Sequence, residues 1–282
     1  MENEIRQFWQ THPCGGDLVG DLTGPSRQEY LDFFERYDSY RYAKEPHIIA
    51  NLAQIDWRGK RVLEIGLGQG ADAEQIVRRR GLYSGIDLTE ESVRRTQMRF
   101  ALKDLPFERI EQASAFALPF DGDTFDLVFS HGVLHHIHDV RNAQTEIARV
   151  LKPAGELIAM LYAKRSLNYL ISICLARRLG LAALYILRIK AGGIYGQHIQ
   201  NARKMGLRRY LAMKNFINVS TDGPFNPYSK VYDRREIEID FPSFYIVDMH
   251  KEFMHAPPLP VGRLPLASLL GWHLWVRLRP KN

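Results

Sequence analysis

Cysteine is scarce in this chain of 282 residues: there are two, Cys14 and Cys174. Two thiols so far apart supply neither a disulfide framework nor a zinc site, so no metal is expected and a reducing cytoplasm is the natural setting. The first ten residues, Met1 to Gln10, carry acids and lack an apolar centre, which argues against a signal peptide. Internal repeats and low-complexity tracts are missing. The most apolar stretch, Leu167 to Ile189, is broken by Arg177, Arg178 and Gly180. It is not a clean run of about 20 apolar residues, so a transmembrane helix is not expected. Acids are absent from one long segment. None lies between Glu156 and Asp222, while the same stretch holds eleven Lys and Arg. The net charge of +6 is thus unevenly placed, which bears on partners rather than on fold. Apolar and charged fractions of 45% and 25% are ordinary for a soluble globular protein, and the length suits one large domain or a domain with a cap.

The dinucleotide fingerprint G-x-G-x-x-G is also missing. In its place, Arg61-Val62-Leu63-Glu64-Ile65-Gly66-Leu67-Gly68-Gln69-Gly70-Ala71-Asp72 reads as a short buried strand, a glycine-rich turn and a helix start. Glycines at alternate positions leave bare backbone against which a ligand can lie, and the helix that follows offers unpaired N–H groups. Glu64 ends the strand, where a carboxylate suits a cationic or hydroxylated ligand group. A second strand, Leu82 to Ile86, ends in Asp87, the position at which doubly wound folds bind ribose hydroxyls. Further on come Ala115-Phe116-Ala117-Leu118-Pro119-Phe120, then Phe125-Asp126-Leu127-Val128-Phe129-Ser130-His131-Gly132-Val133-Leu134-His135-His136, then Ala148-Arg149-Val150-Leu151-Lys152-Pro153-Ala154-Gly155.

The glycine spacing E-x-G-x-G-x-G resembles motif I of the class I S-adenosylmethionine (SAM)-dependent methyltransferases. The three later segments, in this order, resemble the small-molecule branch that includes ubiquinone and menaquinone methyltransferases. The resemblance is close over residues 60–162 and looser to about 279. It implies an α/β fold: a doubly wound, seven-stranded, mostly parallel sheet whose last strand is antiparallel, with an N-terminal helical lid and a mainly helical insertion. The corresponding organisation is a lid over 1–58, a SAM-binding core over 59–162, a cap or insertion over 163–230 and the C-terminal part of the sheet over 231–282.

The βαβ rhythm by itself implies a parallel sheet. Strands are expected near 61–65, 82–86, 108–112, 125–130, 155–162, 243–250 and 269–278. Helices are expected near 71–80, 90–103 and 139–151. In the lid, Pro13, Gly15, Gly16, Gly20, Gly24 and Pro25 make the front half loop. Ser26 and Glu29 form a capping box for a helix over 27–38, and a second helix covers 46–55. Asp233 and Glu236 cap a short later helix. Residues 163–230 are too long for a plain connection. They read as a cap packed on the core, a homodimer interface, or a peripheral lipid contact through 164–214 in which Arg177 and Arg178 meet lipid. As part of a cap, those two arginines would instead grip a carboxylate or phosphate on the substrate.

By resemblance, Glu64, Gly66, Gly68 and Gly70 contact the methionine part of SAM, joined by Tyr30, Arg41 and Tyr42 from the lid. Asp87 takes the ribose hydroxyls and Leu88 packs on adenine. The family's acidic adenine acceptor is replaced here by Ser114, beside Ala115 and Phe116. Ser130 closes the cofactor set. Methyl transfer from a sulfonium is an in-line displacement, and the protein must hold the acceptor collinear and take a proton from a hydroxyl or protonated amine. His131, His135 and His136 suit that second task near neutral pH, the latter two better than the first, or else they serve the loop's packing. The reading is a methyltransferase for a small or lipid-like acceptor, with O-methylation favoured over N- and C-methylation. An RNA methyltransferase and a SAM-binding subunit without activity are the alternatives. Nucleic acid is disfavoured because the basic residues sit among long aliphatic runs rather than exposed aromatics.

Overall fold

The computed structural model describes residues 1–13, 15 and 26–281. Cys14, Gly16, Gly20, Gly24 and Pro25 lie outside the described residues. Seven strands form one sheet: β1 Arg61–Ile65, β2 Leu82–Asp87, β3 Arg109–Gln112, β4 Phe125–His131, β5 Leu151–Tyr162, β6 Phe244–Glu252 and β7 His273–Pro280. They lie in the order β3-β2-β1-β4-β5-β7-β6. The first five are parallel, and β7 runs antiparallel to both β5 and β6. This is the doubly wound, seven-stranded sheet of the methyltransferase fold.

Alternation along the strands sends side chains to two helical layers. Leu63, Ile65, Val128, Leu157 and Ala159 pack with Ile147 and Val150 of the helix Val140–Val150, and with Ile237 and Phe241 at the later helix Arg234–Asp240. Val62, Leu127, Phe129, Ile158 and Met160 face the other way, onto Ile76 of the helix Ala71–Arg78, Phe100 of the helix Glu90–Leu102 and Ile48 of the helix His47–Gln54. Both expected capping boxes are present, at Ser26–Glu29 and Asp233–Glu236.

Three elements differ from the sequence expectation. The lid helix runs Arg27–Lys44, past residue 38, because no glycine or proline interrupts it before Pro46. β5 starts at Leu151, directly after the preceding helix, and a register shift between Phe125 and Leu127 absorbs Pro153 to Gly155. β7 starts only at His273, since Ala267–Leu270 coils into a helical turn ended by Gly271.

Ionic contacts fix the lid. Buried Arg99 donates to Asp38 of the lid helix and, at 2.7 Å, to Glu74 of the core, which Lys103 also meets at 2.7 Å. The front half of the lid, expected as loop, holds a helix Glu2–Thr11 ahead of Pro13.

The insertion is helical: Asn168–Arg177, Arg178–Ile186, Gly193–Met205, Leu207–Tyr210 and Met213–Thr221. Its first two segments form one continuous helix of 19 residues, long and apolar enough by composition to cross a membrane. Gly180 does not break it. Ile173, Leu181, Ile199, Ala202, Tyr210 and Phe216 gather into a small core that packs on Trp272. Arg177 and Arg178, read from sequence for lipid or a substrate anion, are engaged here by main-chain carbonyl groups. Arg177 donates to the carbonyl oxygens of Pro257, at 3.0 Å, and Ser220. Arg178 donates to those of Leu211 at 3.0 Å and Cys174 at 3.2 Å. Main-chain carbonyls left by helix ends and turns are satisfied this way, and the helix is thereby tied to the domain.

Candidate functional site

A cavity of about 330 Å³ opens at the carboxyl ends of the parallel strands. The glycine turn after β1 forms its floor. Gly66 and Gly68 have φ of 87° and 52°, conformations that disfavour any side chain. A Cβ on Gly66 would meet Val133 at 2.2 Å, so β1 and the loop after β4 close on each other only because that side chain is missing. Both glycines line the cavity; Gly70 does not, and instead starts the next helix with its own positive φ.

Two of the acids on its wall come from β1 and β2. Asp87 accepts from the backbone N–H of Leu67 and of Thr89, both at 2.8 Å, and from the Thr89 hydroxyl at 2.7 Å. Burial pushes its carboxyl above the usual range, against the pull of those donors. Glu64 accepts from the Tyr83 hydroxyl at 2.5 Å. Burial, reinforced by the Asp72 charge, holds it well above the ordinary value.

The lid enters through Arg41, which donates to Asp72 at 2.5 Å, to the Tyr37 hydroxyl at 3.2 Å and to Nδ1 of His131 at 3.0 Å. A guanidinium only donates, so Nδ1 of His131 accepts and Nε2 carries the proton. Burial, then the neighbouring Arg41, holds this imidazole neutral, with its pKa well below the ordinary value. Oδ1 of Asp72 is buried with no hydrogen-bond partner among the described residues.

At the other end, His136 donates from Nδ1 to the carbonyl oxygen of Tyr228 at 2.9 Å. The acceptor is a carbonyl, so the proton sits on Nδ1 and Nε2 keeps its lone pair in the neutral ring. That Nε2 lies 3.4 Å from Oδ2 of Asp222, and neither atom has a hydrogen-bond partner among the described residues. The other oxygen of Asp222 accepts from the Tyr162 hydroxyl at 2.9 Å. Trp9 of the N-terminal helix meets the His136 ring edge-on at 5.2 Å. His136, Asp222, Tyr162 and Trp9 line the cavity.

Of the residues singled out from sequence, Glu64, Gly66, Gly68, Asp87, Leu88, Ala115, Phe116, Arg41, His131 and His136 share this cavity. The others face elsewhere. Ser130 is buried and donates to the Ile65 carbonyl at 2.9 Å. His135 is fully buried, its ring packed on Tyr162 at 3.8 Å between centroids. Tyr30 packs with Phe33, Phe34 and Leu102, its hydroxyl accepting from Arg94. Tyr42 packs against the layer formed by the helix Ala71–Arg78. Ser114 turns its hydroxyl to the carboxylate of Glu2, and it is Glu2 that lines the cavity.

Sequence reasoning missed Glu2, Asp72, Tyr162 and Asp222. Asp72 alone carried a signal, as an acid in the first turn of the helix that follows the glycines. Glu2 and Ser114 lie 112 positions apart, and nothing local joins them.

Residues 63–159 match the family described as "Methyltransferase domain". A phthiotriol/phenolphthiotriol dimycocerosates methyltransferase of Mycobacterium tuberculosis is 35% identical over 104 residues, 36% of this chain and 37% of that protein. A fatty-acid O-methyltransferase of Mycolicibacterium smegmatis is 37% identical over 108 residues, 38% of each chain. The matches thus span little more than a third of these relatives' length. A solved SAM-dependent methyltransferase from Aquifex aeolicus shares the fold, with a TM-score of 0.52 at 14% identity, over 92% of this chain and 100% of that one.

Proposed function

We propose that this chain, which carries a class I SAM-dependent methyltransferase domain, methylates a hydroxyl oxygen on a lipid-like small molecule. SAM is the cofactor of this domain class, and it supplies an activated methyl group on a sulfonium. The residues present fit it. The bare backbone at Gly66 and Gly68 lines the cavity, and Asp87 lies on the same wall for the ribose hydroxyls. The unpartnered Oδ1 of Asp72 is an acceptor that an α-ammonium group would satisfy. Glu2, held by Ser114, offers the negative acceptor for an adenine amino group that Ser114 lacks.

One observation carries the reaction type: Nε2 of His136 and Oδ2 of Asp222, both buried and unpartnered, face each other at 3.4 Å on the cavity wall. A hydroxyl placed there gives its proton to Nε2 as its oxygen takes the methyl group. The resulting imidazolium lies beside the Asp222 carboxylate, which stabilises it. His131 is unsuited to this task, since its Nδ1 is occupied by Arg41 and its Nε2 already carries a proton. Apolar walls from Trp9, Ile137, Val133 and Met160 favour an acceptor with a hydrocarbon body. The fatty-acid O-methyltransferase relative supports the same class.

The test is incubation with labelled SAM and a panel of long-chain alcohols, phenols, fatty acids, amines and RNA. Label on an apolar hydroxyl compound is expected. The His136→Ala variant should bind SAM normally and lose about 10²–10⁴-fold in turnover on that acceptor. Undiminished turnover of this variant across the pH range would remove the base from the scheme, and labelled RNA would replace the acceptor class.

A further inference from the structure

The outer face of the insertion is apolar where a water-facing surface is ordinarily polar. Along the helix Asn168–Ile186, Ile171, Leu175, Leu179 and Ile186 are exposed. Spacings of four, four and seven bring them to one side. Ser172, Ile173 and Leu181 take the buried side. The tip that follows adds Leu187, Ile189, Ile194 and Tyr195, exposed to 67%, 46%, 58% and 53%. Arg188 and Lys190 alternate with these apolar residues and are exposed themselves. Such a contiguous apolar surface marks an interaction site rather than chance exposure.

We propose that the tip Ile186 to Tyr195, with the outer stripe of the preceding helix, seats this protein on an anionic lipid surface. Charge selects this occupant. No acid lies between Glu156 and Asp222, so the charged residues that this segment itself carries are cations alone. A second copy of the chain fits poorly, because a two-fold contact would set this basic face against itself. Single-stranded nucleic acid calls for stacked aromatics, and the tip is mainly aliphatic. Interleaved aliphatic and basic residues suit the boundary between headgroups and acyl chains. There the apolar side chains are buried while Arg188 and Lys190 reach the phosphates. The 19-residue helix therefore lies along the surface rather than crossing it, since Arg177 and Arg178 bind it to the carbonyl groups of its own domain. This surface is independent of the methyl acceptor's identity, and its test measures no turnover.

The experiment is co-sedimentation of the full chain with vesicles of phosphatidylcholine alone and of phosphatidylcholine with phosphatidylglycerol, at low and high salt. Light scattering reports the oligomeric state in parallel. Binding to the anionic vesicles is expected, weaker at high salt, and small on phosphatidylcholine alone. The Leu187→Glu/Ile189→Glu variant alters two exposed side chains and should keep the wild-type melting temperature and SAM affinity. Its vesicle partitioning should fall by at least about tenfold, since burial of even one such side chain is worth more than that factor. Arg188→Gln/Lys190→Gln should reduce mainly the salt-sensitive part. The proposal is overturned by absence of binding to anionic vesicles at low salt, or by equal binding of the double glutamate variant. It is overturned equally by a dimer that this variant dissociates, which would assign the surface to a second copy.

Discussion

Substituting alanine for Gly66 tests the turn geometry at its tightest point. Two costs add. The residue's φ of 87° lies in the region that L-residues avoid, which costs roughly 1–2 kcal/mol. The new Cβ would sit 2.2 Å from a methyl of Val133 and 2.9 Å from its Cβ, too close for a small rotation to relieve. Overpacking of this kind typically costs about 1–3 kcal/mol. The expected loss is thus about 2–5 kcal/mol, read by urea unfolding followed through tryptophan fluorescence, with SAM affinity by calorimetry alongside. The two terms separate in a cycle. Val133→Ala removes the methyls that the new Cβ meets but keeps its own Cβ at 2.9 Å, so adding it to Gly66→Ala should recover part of the roughly 1–3 kcal/mol of overpacking and leave the backbone strain. Strict additivity of the two substitutions, or a Gly66→Ala variant within about 0.5 kcal/mol of wild type, would refute this account of why β1 and the β4 loop approach each other.

Asp87→Ala should cost roughly 1.5–3 kcal/mol of SAM binding by calorimetry, the range for hydrogen bonds to a charged group. Arg177→Ala leaves the Ser220 carbonyl without its side-chain donor and the Pro257 carbonyl with the Ser172 hydroxyl, and should destabilise the fold by about 1–3 kcal/mol in denaturant, an effect that salt does not reproduce. Acid should weaken the lid attachment through Glu74. Burial raises its carboxyl, but Arg99, Lys103 and Arg78 outweigh burial and hold it down to about 2 from an ordinary 4.5. Its contribution is therefore full above about pH 4.5 and is lost as pH falls towards about 2. Glu74→Gln should flatten the stability profile over that window, and an unchanged profile would remove Glu74 from the acid response.

Where a feature depends on neighbours in sequence, it could be read in advance. The glycine turn, the acid ending β2 and the capping residues Ser26 and Asp233 are set by backbone conformations and hydrogen bonds within a few positions. What alternates or comes from afar could not be read. Ser130 and His131 are adjacent on β4 and point to opposite faces, so the strand's phase decides which one meets the cavity, and both had been singled out. Within the short run Leu134 to His136, His135 turns inward onto Tyr162 and His136 outward, a choice made by the loop's single turn of 3₁₀ helix. Tyr30 and Arg41 share one lid helix, yet one anchors it and the other enters the site. Glu2 and Asp222 reach the cavity only because distant helices pack across it.

The hydrogen bond from His136 to the Tyr228 carbonyl joins two parts of the chain with separate jobs. The imidazole belongs to the β4 loop of the common core. The carbonyl that selects its tautomer, and the carboxylate that faces it, both come from residues 163–230, which bring Asp222 to the cavity wall. If His136 acts as the proposed base, a change in that segment that moves Tyr228 or Asp222 would alter proton handling from outside the core. On the proposed mechanism, exchanging residues 163–230 between relatives would exchange the partners of His136 as well. A chimera that accepts a new substrate but shifts its pH optimum would be the natural outcome rather than a failure of design.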